Sequence, residues 1–357
     1  MSPRAILRAA CLCGLGSVLL ACGGASSAPA PAATPTAETA AAAAATPSPK
    51  PPAATPTKRN VRPTPTPRCP DPYVEGAPYE PTPNAPLRLR PTGFPQPIAR
   101  FAPGRLVKDA ALEQVVRRSL RGVEEHVAVL VKNLDDEHGV VLDGDRTFYA
   151  ASLYKTWSLI EAFHQREAGL LDFDERYVVT DYYEDEFGLN PGELETCDEI
   201  AFDDALGRMM RVSDNVAANL VLDRVGVGNV NASLRGLGLD DSGFVPDGSM
   251  PTTANDMALL LEALYRGRVV SRQASNEMLL HLISEVIDDR LPALLPKRTA
   301  IAHKTGNWEN ATHDAGIVFS PDADYVIVVL TDYGFVADGA EVISRLSKVV
   351  YDYYNGG

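Results

Sequence analysis

From about residue 105 onward, the chain alternates between two hydrophobic periodicities. In residues 108–121, apolar side chains recur at helical spacing, which predicts an amphipathic helix. Residues 127–131 and 139–142 are short apolar runs on either side of an Asp-Asp-Glu-His-Gly turn, and they predict two strands. A second helical pattern starts near residue 151 and ends near residue 169.

Helices dominate the middle of this region, and strands return towards its end. The pattern from about residue 203 to 264 is mostly helical, with Gly and Pro interruptions. Residues 314–319 and 325–331 predict two late strands, and a final amphipathic helix has apolar positions from Val342 to Tyr353. This order predicts an α+β fold in which both ends of the region build one sheet and an all-helical lobe is inserted between them.

The first 22 residues have the layout of an export signal. Arg4 and Arg8 precede an apolar run, residues 9–20, which is too short to cross a bilayer but typical of a secretory signal peptide. The run ends in Leu19-Leu20-Ala21-Cys22-Gly23, which resembles the lipobox of bacterial lipoproteins. That resemblance implies export, lipidation of Cys22 and anchoring to the outer face of the cytoplasmic membrane. A plain cleaved signal and an uncleaved anchor are the alternatives.

Residues 23–104 predict a tether between this signal and a folded domain at residues 105–357. Residues 23–68 are mostly Ala, Pro, Thr and Ser, and such a segment cannot bury enough apolar surface to fold. Fully stretched, it would reach on the order of 140 Å at about 3.1 Å per residue. Residues 69–104 stay Pro-rich but gain apolar side chains, which favours contact with the surface of the domain.

Charge and cysteine content narrow the classes of function. The chain has 33 Lys and Arg against 47 Asp and Glu, a net charge of −14, which argues against nucleic acid as a partner. Its five Cys have none of the spacings of a metal site, so we expect neither a metal nor another cofactor. Cys69 and Cys197 either form a disulfide after export or leave Cys197 as a free buried thiol.

Ser152 and Lys155 form a Ser-x-x-Lys pair at the start of the second predicted helix. Three positions apart on a helix, the two side chains share one face. In the first turn, free N–H groups favour negative charge at the Ser152 oxygen, and a lysine with a lowered pKa would accept the hydroxyl proton. The alternative is that Ser152 caps the helix and Lys155 is a solvated surface charge.

Two further triplets favour the catalytic alternative. Ser213-Asp214-Asn215 opens a helical stretch, and Lys304-Thr305-Gly306 stands before a predicted strand; taken singly, they are a helix cap and a strand end. Ser-x-x-Lys, Ser-Asp-Asn and Lys-Thr-Gly nevertheless occur once each, in this order. Average residue frequencies give this coincidence in fewer than about one chain in a hundred. Together they are the signature set of serine β-lactamases and penicillin-binding proteins.

The sequence from about residue 105 to 357 resembles the class A β-lactamases, a family of penicillin-recognising serine hydrolases. Residues 213–220 and 304–314 are similar to the family's sequences around the second and third motifs, and residues 252–258 resemble the start of its next helix. The resemblance implies a five-stranded antiparallel sheet flanked by helices, a helical lobe, and an active site between them. It also implies a serine hydrolase that forms an acyl-enzyme.

The resemblance assigns the acylation chemistry to side chains of all three motifs. Ser152 would be the nucleophile and Lys155 the acceptor of its proton. Ser213 would pass a proton to the leaving nitrogen. Lys304 would help to keep Lys155 uncharged through like-charge repulsion.

The same resemblance assigns substrate binding to residues of the second and third motifs. Asn215 would hold the substrate amide, while Lys304 and Thr305 would bind the substrate carboxylate. The backbone N–H groups of Ser152 and Asn307 would form an oxyanion hole, in which the loss of one donor typically costs ~3 kcal/mol.

One element of the class A pattern is missing. Class A enzymes carry a Glu-x-x-Leu-Asn segment between the second and third motifs, and its Glu activates the water that releases the acyl group. The corresponding stretch, residues 236–253, is short and contains no Glu, and Asp247 is a poor substitute. The sequence therefore predicts an acylable Ser152 with slow deacylation.

Three functions fit these observations. The first is an exported β-lactamase of class A type that acts on small-molecule β-lactams. The second is a D-Ala-D-Ala carboxypeptidase or penicillin-binding protein that acts on peptidoglycan peptides, which the tether and the missing Glu favour. The third is a non-catalytic lipoprotein that binds or senses the cell wall, against which the intact triplets argue. We expect a monomer that meets the membrane through its lipid anchor.

Overall fold

A six-stranded sheet forms the centre of the computed structural model, which describes residues 97–183 and 192–356. The strands of these ranges are β1 (Val107–Lys108), β2 (Val127–Asn133), β3 (His138–Leu142), β4 (Phe148–Tyr149), β5 (Arg176–Val178), β6 (Glu199–Ala201), β7 (Pro251–Thr252), β8 (Ala300–Trp308), β9 (Ala311–Phe319) and β10 (Asp324–Thr331). The α-helices are α1 (Ala110–Ser119), α2 (Tyr154–Glu167), α3 (Phe202–Arg211), α4 (Asn215–Val225), α5 (Val227–Leu237), α6 (Ala254–Tyr265), α7 (Arg272–Ile283) and α8 (Val336–Tyr354). A short 3-10 turn, Ala151–Leu153, connects β4 to α2.

The strand order across the central sheet is β1-β3-β2-β10-β9-β8. The pairings β3–β2, β2–β10, β10–β9 and β9–β8 are antiparallel, so the expected five-stranded antiparallel sheet is confirmed. The two-residue strand β1 extends it by pairing parallel to β3, with Val107 opposite His138. The early strand β2 pairs with the late strand β10, and strands from both ends of the region thus build one sheet, as the order of elements predicts. The remaining strands form two small two-stranded sheets, β4 with β7 and β5 with β6.

Both faces of the central sheet are covered by helices. Val127, Val129 and Val131 of β2 lie in a core shared with α1 and α8, while Ala128 and Leu130 lie in the core of the helical lobe. Side chains alternate between the two faces of a strand, so a strand that is covered on both sides is apolar at consecutive positions. This burial explains the uninterrupted apolar run of β2.

Helix α2 is the central helix of the lobe. It packs against α3, α4, α5 and α7, and ten of its fourteen residues are buried. Trp157 is fully buried and lies edge-on to Phe244, with ring centroids 5.7 Å apart. Because α2 is buried from its first turn onward, Lys155, its second residue, lies inside the protein.

Two predicted boundaries are wrong. Helix α1 begins at Ala110 rather than at residue 108, because Asp109 caps it by accepting hydrogen bonds from two N–H groups of its first turn at 3.0 Å. Lys304-Thr305-Gly306 lies within β8 and not before a strand. Lys304 and Thr305 are polar and therefore do not give the apolar pattern of a buried strand. They are buried against Glu285, which lies 20 residues before Thr305 in the sequence.

Several predictions concern residues outside the described ranges. The signal peptide, Cys22, the tether before residue 97 and Cys69 lie there and stay predictions. Cys197 is disulfide-bonded, so the alternative of a free thiol at this position is wrong. Within the described ranges, we find no helix with the length and apolar character needed to cross a membrane.

Candidate active site

Ser152 lies in the 3-10 turn before α2 and is half-buried. The preceding Ala151 has a φ of +46°, a left-handed conformation that costs energy for a residue with a side chain. The turn is fixed from outside by the Ala150 N–H group, which donates to Met250 O at 2.7 Å. No side chain caps α2, so the alternative in which Ser152 serves as the helix cap is wrong.

Lys155 is buried, contrary to the alternative in which it is a surface charge. Its side chain is inaccessible to solvent, and Nζ donates to Ser213 O at 2.6 Å, Ser213 Oγ at 3.1 Å and Asn215 Oδ1 at 2.8 Å. An uncharged amine can fill this set as well, with its two N–H groups donated to Ser213 O and Asn215 Oδ1 and its lone pair accepting from the Ser213 hydroxyl. The first and second motifs, which are about 60 residues apart in sequence, therefore meet at this atom.

The surroundings of Lys155 disfavour its positive charge. Burial is the main cause and the charge of Lys304 the second cause that lower its pKa from 10.5 to about 7. Near neutral pH, much of Lys155 is therefore an uncharged amine whose lone pair can accept a proton. Three carboxylates oppose this shift, namely those of Glu193, Asp214 and Glu285.

The second motif combines a strained serine with a helix cap. Ser213 has a φ of +58°, and the following Asp214 caps α4 by accepting a hydrogen bond from Ala217 N at 2.9 Å. The cap interpretation is thus right for Asp214, whereas Ser213 and Asn215 contact Lys155. Asn215 N donates to Glu193 Oε1 at 2.9 Å. Glu193 belongs to no motif, and the sequence analysis missed it.

The third motif lies beside the Ser152 turn. Strand β8 is an edge strand of the central sheet and packs against this turn. A Cβ atom on Gly306 would lie 3.1 Å from Ala150 O and 3.4 Å from Ala151 Cβ. Glycine therefore allows β8 to approach the backbone around the candidate nucleophile this closely.

The hydrogen bonding of β8 shows where its N–H groups point. Thr305 N points away from β9, because it donates to Glu285 Oε2 at 3.1 Å. Alternate residues of a strand direct their N–H groups to the same edge, so Asn307 N also points to the edge that β9 does not occupy. That is the orientation that the predicted oxyanion hole requires of Asn307.

Lys304 and Thr305 bind a carboxylate that belongs to the protein itself. Glu285, just after the end of α7, forms an ion pair with Lys304 and accepts a hydrogen bond from Thr305 Oγ1 at 2.7 Å. Its side chain is fully buried. The sequence analysis missed Glu285; its one signal is an acidic residue between the apolar Ile283 and Val286.

Arg290 is another buried charge that the sequence analysis missed. It is inaccessible to solvent, and its guanidinium donates to His313 O at 2.8 Å and to Gly306 O at 3.3 Å. It also donates to Asn307 Oδ1 at 2.6 Å. Arg290 therefore joins β8 and β9 at the residue whose N–H group is expected to contribute to the oxyanion hole.

Two buried histidines flank the third motif and have structural partners. Burial opposes protonation of His303, but Asp314, 3.0 Å from its Nδ1, contributes to a net rise in its pKa. His313 accepts at Nδ1 from Thr331 N at 3.1 Å, so its Nε2–H donates to Tyr149 O at 2.9 Å. Burial lowers the pKa of His313 to about 4, which leaves it uncharged at neutral pH. His313 therefore links β9 by a hydrogen bond to Tyr149, three residues before Ser152.

Asp247, the candidate substitute for the missing Glu, lies in an exposed loop. Its carboxylate accepts a hydrogen bond from Ser249 N at 2.8 Å, which lowers its pKa. Among the contacts of the described ranges, it has none with Ser152 or Lys155. The same ranges contain no cluster of three or more His, Cys, Asp or Glu side chains that could hold a metal ion.

Comparison with known proteins gives concordant matches. The model of a family described as the beta-lactamase enzyme family matches residues 111–354. A β-lactamase of Bacteroides uniformis is 27% identical over 170 residues, which cover 39% of this chain and 55% of that protein. The chain thus spans about half the length of that relative. The extended-spectrum β-lactamase PER-1 of Pseudomonas aeruginosa is 23% identical over 283 residues, which cover 68% of this chain and 87% of that protein.

A solved structure supports the same fold. A mutant of the penicillin-binding protein PBP-A, solved as its acyl-enzyme complex with penicillin G, aligns with a TM-score of 0.65 at 24% identity. The alignment covers 71% of this chain and 100% of that chain. The shared architecture is the antiparallel sheet with its helical lobe.

Proposed function

The chain belongs to the beta-lactamase enzyme family and is a serine hydrolase of that family, and from this premise we propose that it opens β-lactam amides through an acyl-Ser152 intermediate. The observation that carries the proposal is the position of Lys155, which is buried and bonded to Ser213 and Asn215 of the second motif. Burial and the charge of Lys304 lower its pKa to about 7. A lysine that only stabilised the fold would gain nothing from a position that penalises its charge. A general base that acts near neutral pH requires such a position.

In the proposed acylation step, Ser152 Oγ attacks the carbonyl carbon of the lactam, and the ring C–N bond breaks. Lys155 takes the hydroxyl proton and passes it to Ser213, whose Oγ lies 3.1 Å from Lys155 Nζ, as Ser213 gives its own proton to the departing nitrogen. Asn215 holds the substrate amide beside them. The N–H groups of Ser152 and Asn307 stabilise the oxyanion that forms at the carbonyl oxygen. The product is a Ser152 ester of the opened ring.

We expect hydrolysis of this ester to be slow. Hydrolysis needs a positioned water and a base, and residues 236–253 contain no Glu to serve as that base. The carboxylate of Asp247 is exposed and already bonded to Ser249 N. The acyl-enzyme should therefore accumulate when β-lactam is in excess.

The second candidate function is that of a D-Ala-D-Ala carboxypeptidase or penicillin-binding protein, with β-lactams as slow-release inhibitors. The lack of a Glu in residues 236–253 favours it, since slow deacylation is then expected, and so does the fold likeness to PBP-A. Release of D-Ala from a purified muropeptide, together with persistent acylation by penicillin, would select this candidate. A purely binding function finds no support, because binding does not require a buried lysine with a lowered pKa three residues after Ser152.

Intact-mass spectrometry of the full chain with excess benzylpenicillin tests the proposal. We expect a mass increase of one penicillin molecule that persists for hours, maps to the peptide containing Ser152 and is absent in Ser152→Ala. Ser119→Ala, at the end of α1, is the matched control and should acylate normally. An adduct that vanished within minutes would indicate a fast β-lactamase and contradict slow deacylation. Absence of any adduct would refute acylation by penicillins.

We further propose that the protein is exported and lipidated at Cys22. The support comes from the sequence alone: two Arg, an apolar run and the Leu19-Leu20-Ala21-Cys22-Gly23 segment. Incorporation of a labelled fatty acid into the wild-type chain, and its loss in Cys22→Ser, is the expected result. Equal labelling of both chains would rule out Cys22 as the acceptor.

A further inference from the structure

Glu285 is bound in the way that a protein binds a carboxylate ligand. Its two oxygens accept from Lys304 Nζ, from Thr305 Oγ1 at 2.7 Å and from Thr305 N at 3.1 Å. The side chains of Glu285 and Lys304 are both inaccessible to solvent. A buried charge is tolerated when it is paired and fully hydrogen-bonded, and this set of a cation, a hydroxyl and a backbone N–H meets that condition. It is a complete carboxylate site, and Glu285 fills it.

This carboxylate site lies within reach of the candidate nucleophile. Gly306 packs against the Ser152 turn, with its Cβ position 3.1 Å from Ala150 O. Thr305 and Lys304 precede Gly306 on the same strand, so at about 3.3 Å per residue they lie roughly 3–7 Å farther along β8. A substrate that reacts at Ser152 and carries a carboxylate a few bonds away would bring that carboxylate close to Glu285.

Glu285 lies outside the helices, where its side chain can compete with a ligand for the carboxylate site. Helix α7 ends at Ile283 with Ser284 as its C-cap, and Glu285 follows outside the helix. The carboxylate is therefore supplied by the segment between α7 and β8 rather than by a helical turn. An anionic substrate would either displace this side chain or meet a like charge at close range, which disfavours its binding.

We propose that Glu285 is the specificity-determining residue of the site and that its carboxylate disfavours substrates with a free carboxylate next to the reacting amide. The inference rests on the proposed acylation of Ser152 and refines its substrate class. It counts against the D-Ala-D-Ala candidate, because that substrate ends in a free carboxylate next to the reacting amide. Substrates that are neutral at this position, such as an ester or an amide, avoid the repulsion. Selection by an unfavourable contact is a general way to reject one of two similar ligands.

Acylation by a matched pair of ligands, benzylpenicillin and its methyl ester, tests the inference. The second-order rate constant of Ser152 acylation is measured at about pH 8.5, above the pKa of about 7 of Lys155. Each rate constant is divided by that ligand's rate constant of hydroxide-catalysed hydrolysis, which corrects for the ligands' different intrinsic reactivities. In the wild type, the ester should react at least about tenfold faster than the acid. Glu285→Gln should raise the ratio of the acid rate to the ester rate at least about tenfold. Glu309→Gln removes an exposed carboxylate from the β8–β9 turn and should change neither rate.

Each result supports or overturns the inference. Equal normalised rates for acid and ester in the wild type would overturn it, and this comparison holds even if Glu285→Gln does not fold. An equal loss of rate with both ligands in Glu285→Gln would assign Glu285 a structural role and overturn the inference as well.

A binding measurement separates failure of this inference from failure of the proposed function. If neither ligand acylates Ser152, the proposed function fails, and calorimetric binding of benzylpenicillin to Ser152→Ala then decides the role of Glu285. Binding at least about tenfold tighter when Glu285→Gln is added to Ser152→Ala would support the inference. Unchanged, weaker or undetectable binding in the double variant would overturn it.

Discussion

Replacing Lys155 with Arg is expected to lower the rate of Ser152 acylation by benzylpenicillin ~10²–10⁴-fold, the usual contribution of a general base. Arg retains a positive charge and hydrogen-bond donors but stays protonated throughout the working pH range. Lys155 differs because its pKa is lowered to about 7, mainly by burial and then by Lys304. Lys155→Met, which has neither charge nor lone-pair base, should be equally slow. Intact-mass kinetics of adduct formation measures both variants.

The pH dependence of acylation in the wild type checks the same assignment. Below the pKa of about 7, Lys155 is an ammonium ion that cannot accept the Ser152 proton, so the rate should fall about tenfold per pH unit. Above that pKa, the amine is uncharged and the rate should level off. A rate that stayed constant from about pH 5 to 8 would exclude Lys155 as the base.

Thermal stability separates a catalytic Lys155 from a structural one. Between about pH 7, its folded pKa, and 10.5, its ordinary pKa, the unfolded chain binds the additional proton. Lys155 therefore costs the fold most below about pH 7, and the cost declines as the pH rises towards 10.5. The unfolding temperature of the wild type relative to Lys155→Met should accordingly rise between about pH 7 and 10.5, while Lys155→Met fails to acylate at every pH. A difference that stayed constant over this range would show that folding does not lower the pKa of Lys155.

The sheet and the lobe could be predicted because their residues bury apolar side chains at regular spacing. The apolar run of β2 is buried on both faces, so the sequence predicts a strand inside the sheet without any knowledge of its neighbouring strands. Strand β8 escaped prediction because Lys304 and Thr305 are polar, and their burial depends on Glu285, 20 residues from Thr305. The pattern of hydrophobic and polar positions along the chain carries no information on this contact between Glu285 and Thr305.

The same distinction applies to the site. The motif residues could be named because Ser152, Lys155 and Ser213 recur in fixed order in a known family, and the structure brings Lys155 into contact with Ser213. Glu285 and Arg290 belong to no motif, and each contacts partners about 20 residues away. Isolated charges in the sequence read as solvated, so only the fold reveals that these two are buried. The roles of the motif residues in catalysis stay predictions.

Replacing Arg290 with Met is expected to slow acylation ~10²-fold while it changes the affinity for unreacted ligand little. Arg290 donates to Asn307 Oδ1 at 2.6 Å and to His313 O at 2.8 Å, so it fixes the position of Asn307 on β8. Displacing one oxyanion-hole donor typically costs ~3 kcal/mol, and negative charge develops on the carbonyl oxygen only as Ser152 attacks, not in the unreacted ligand. Saturation kinetics of acylation separates the rate constant from the dissociation constant and measures this difference.

Arg298→Met is the matched control for Arg290→Met, since Arg298 is exposed on the segment before β8 and its loss removes the same charge. The Arg290 variant should also be less stable, by ~1–3 kcal/mol for each buried acceptor that loses its donor, so the rates are compared well below its unfolding temperature. Arg290→Lys keeps the charge without the two-armed guanidinium and should acylate at an intermediate rate. If Arg290→Met lost stability but acylated at the wild-type rate, Arg290 would be a structural residue alone, and Asn307 would hold its position without it.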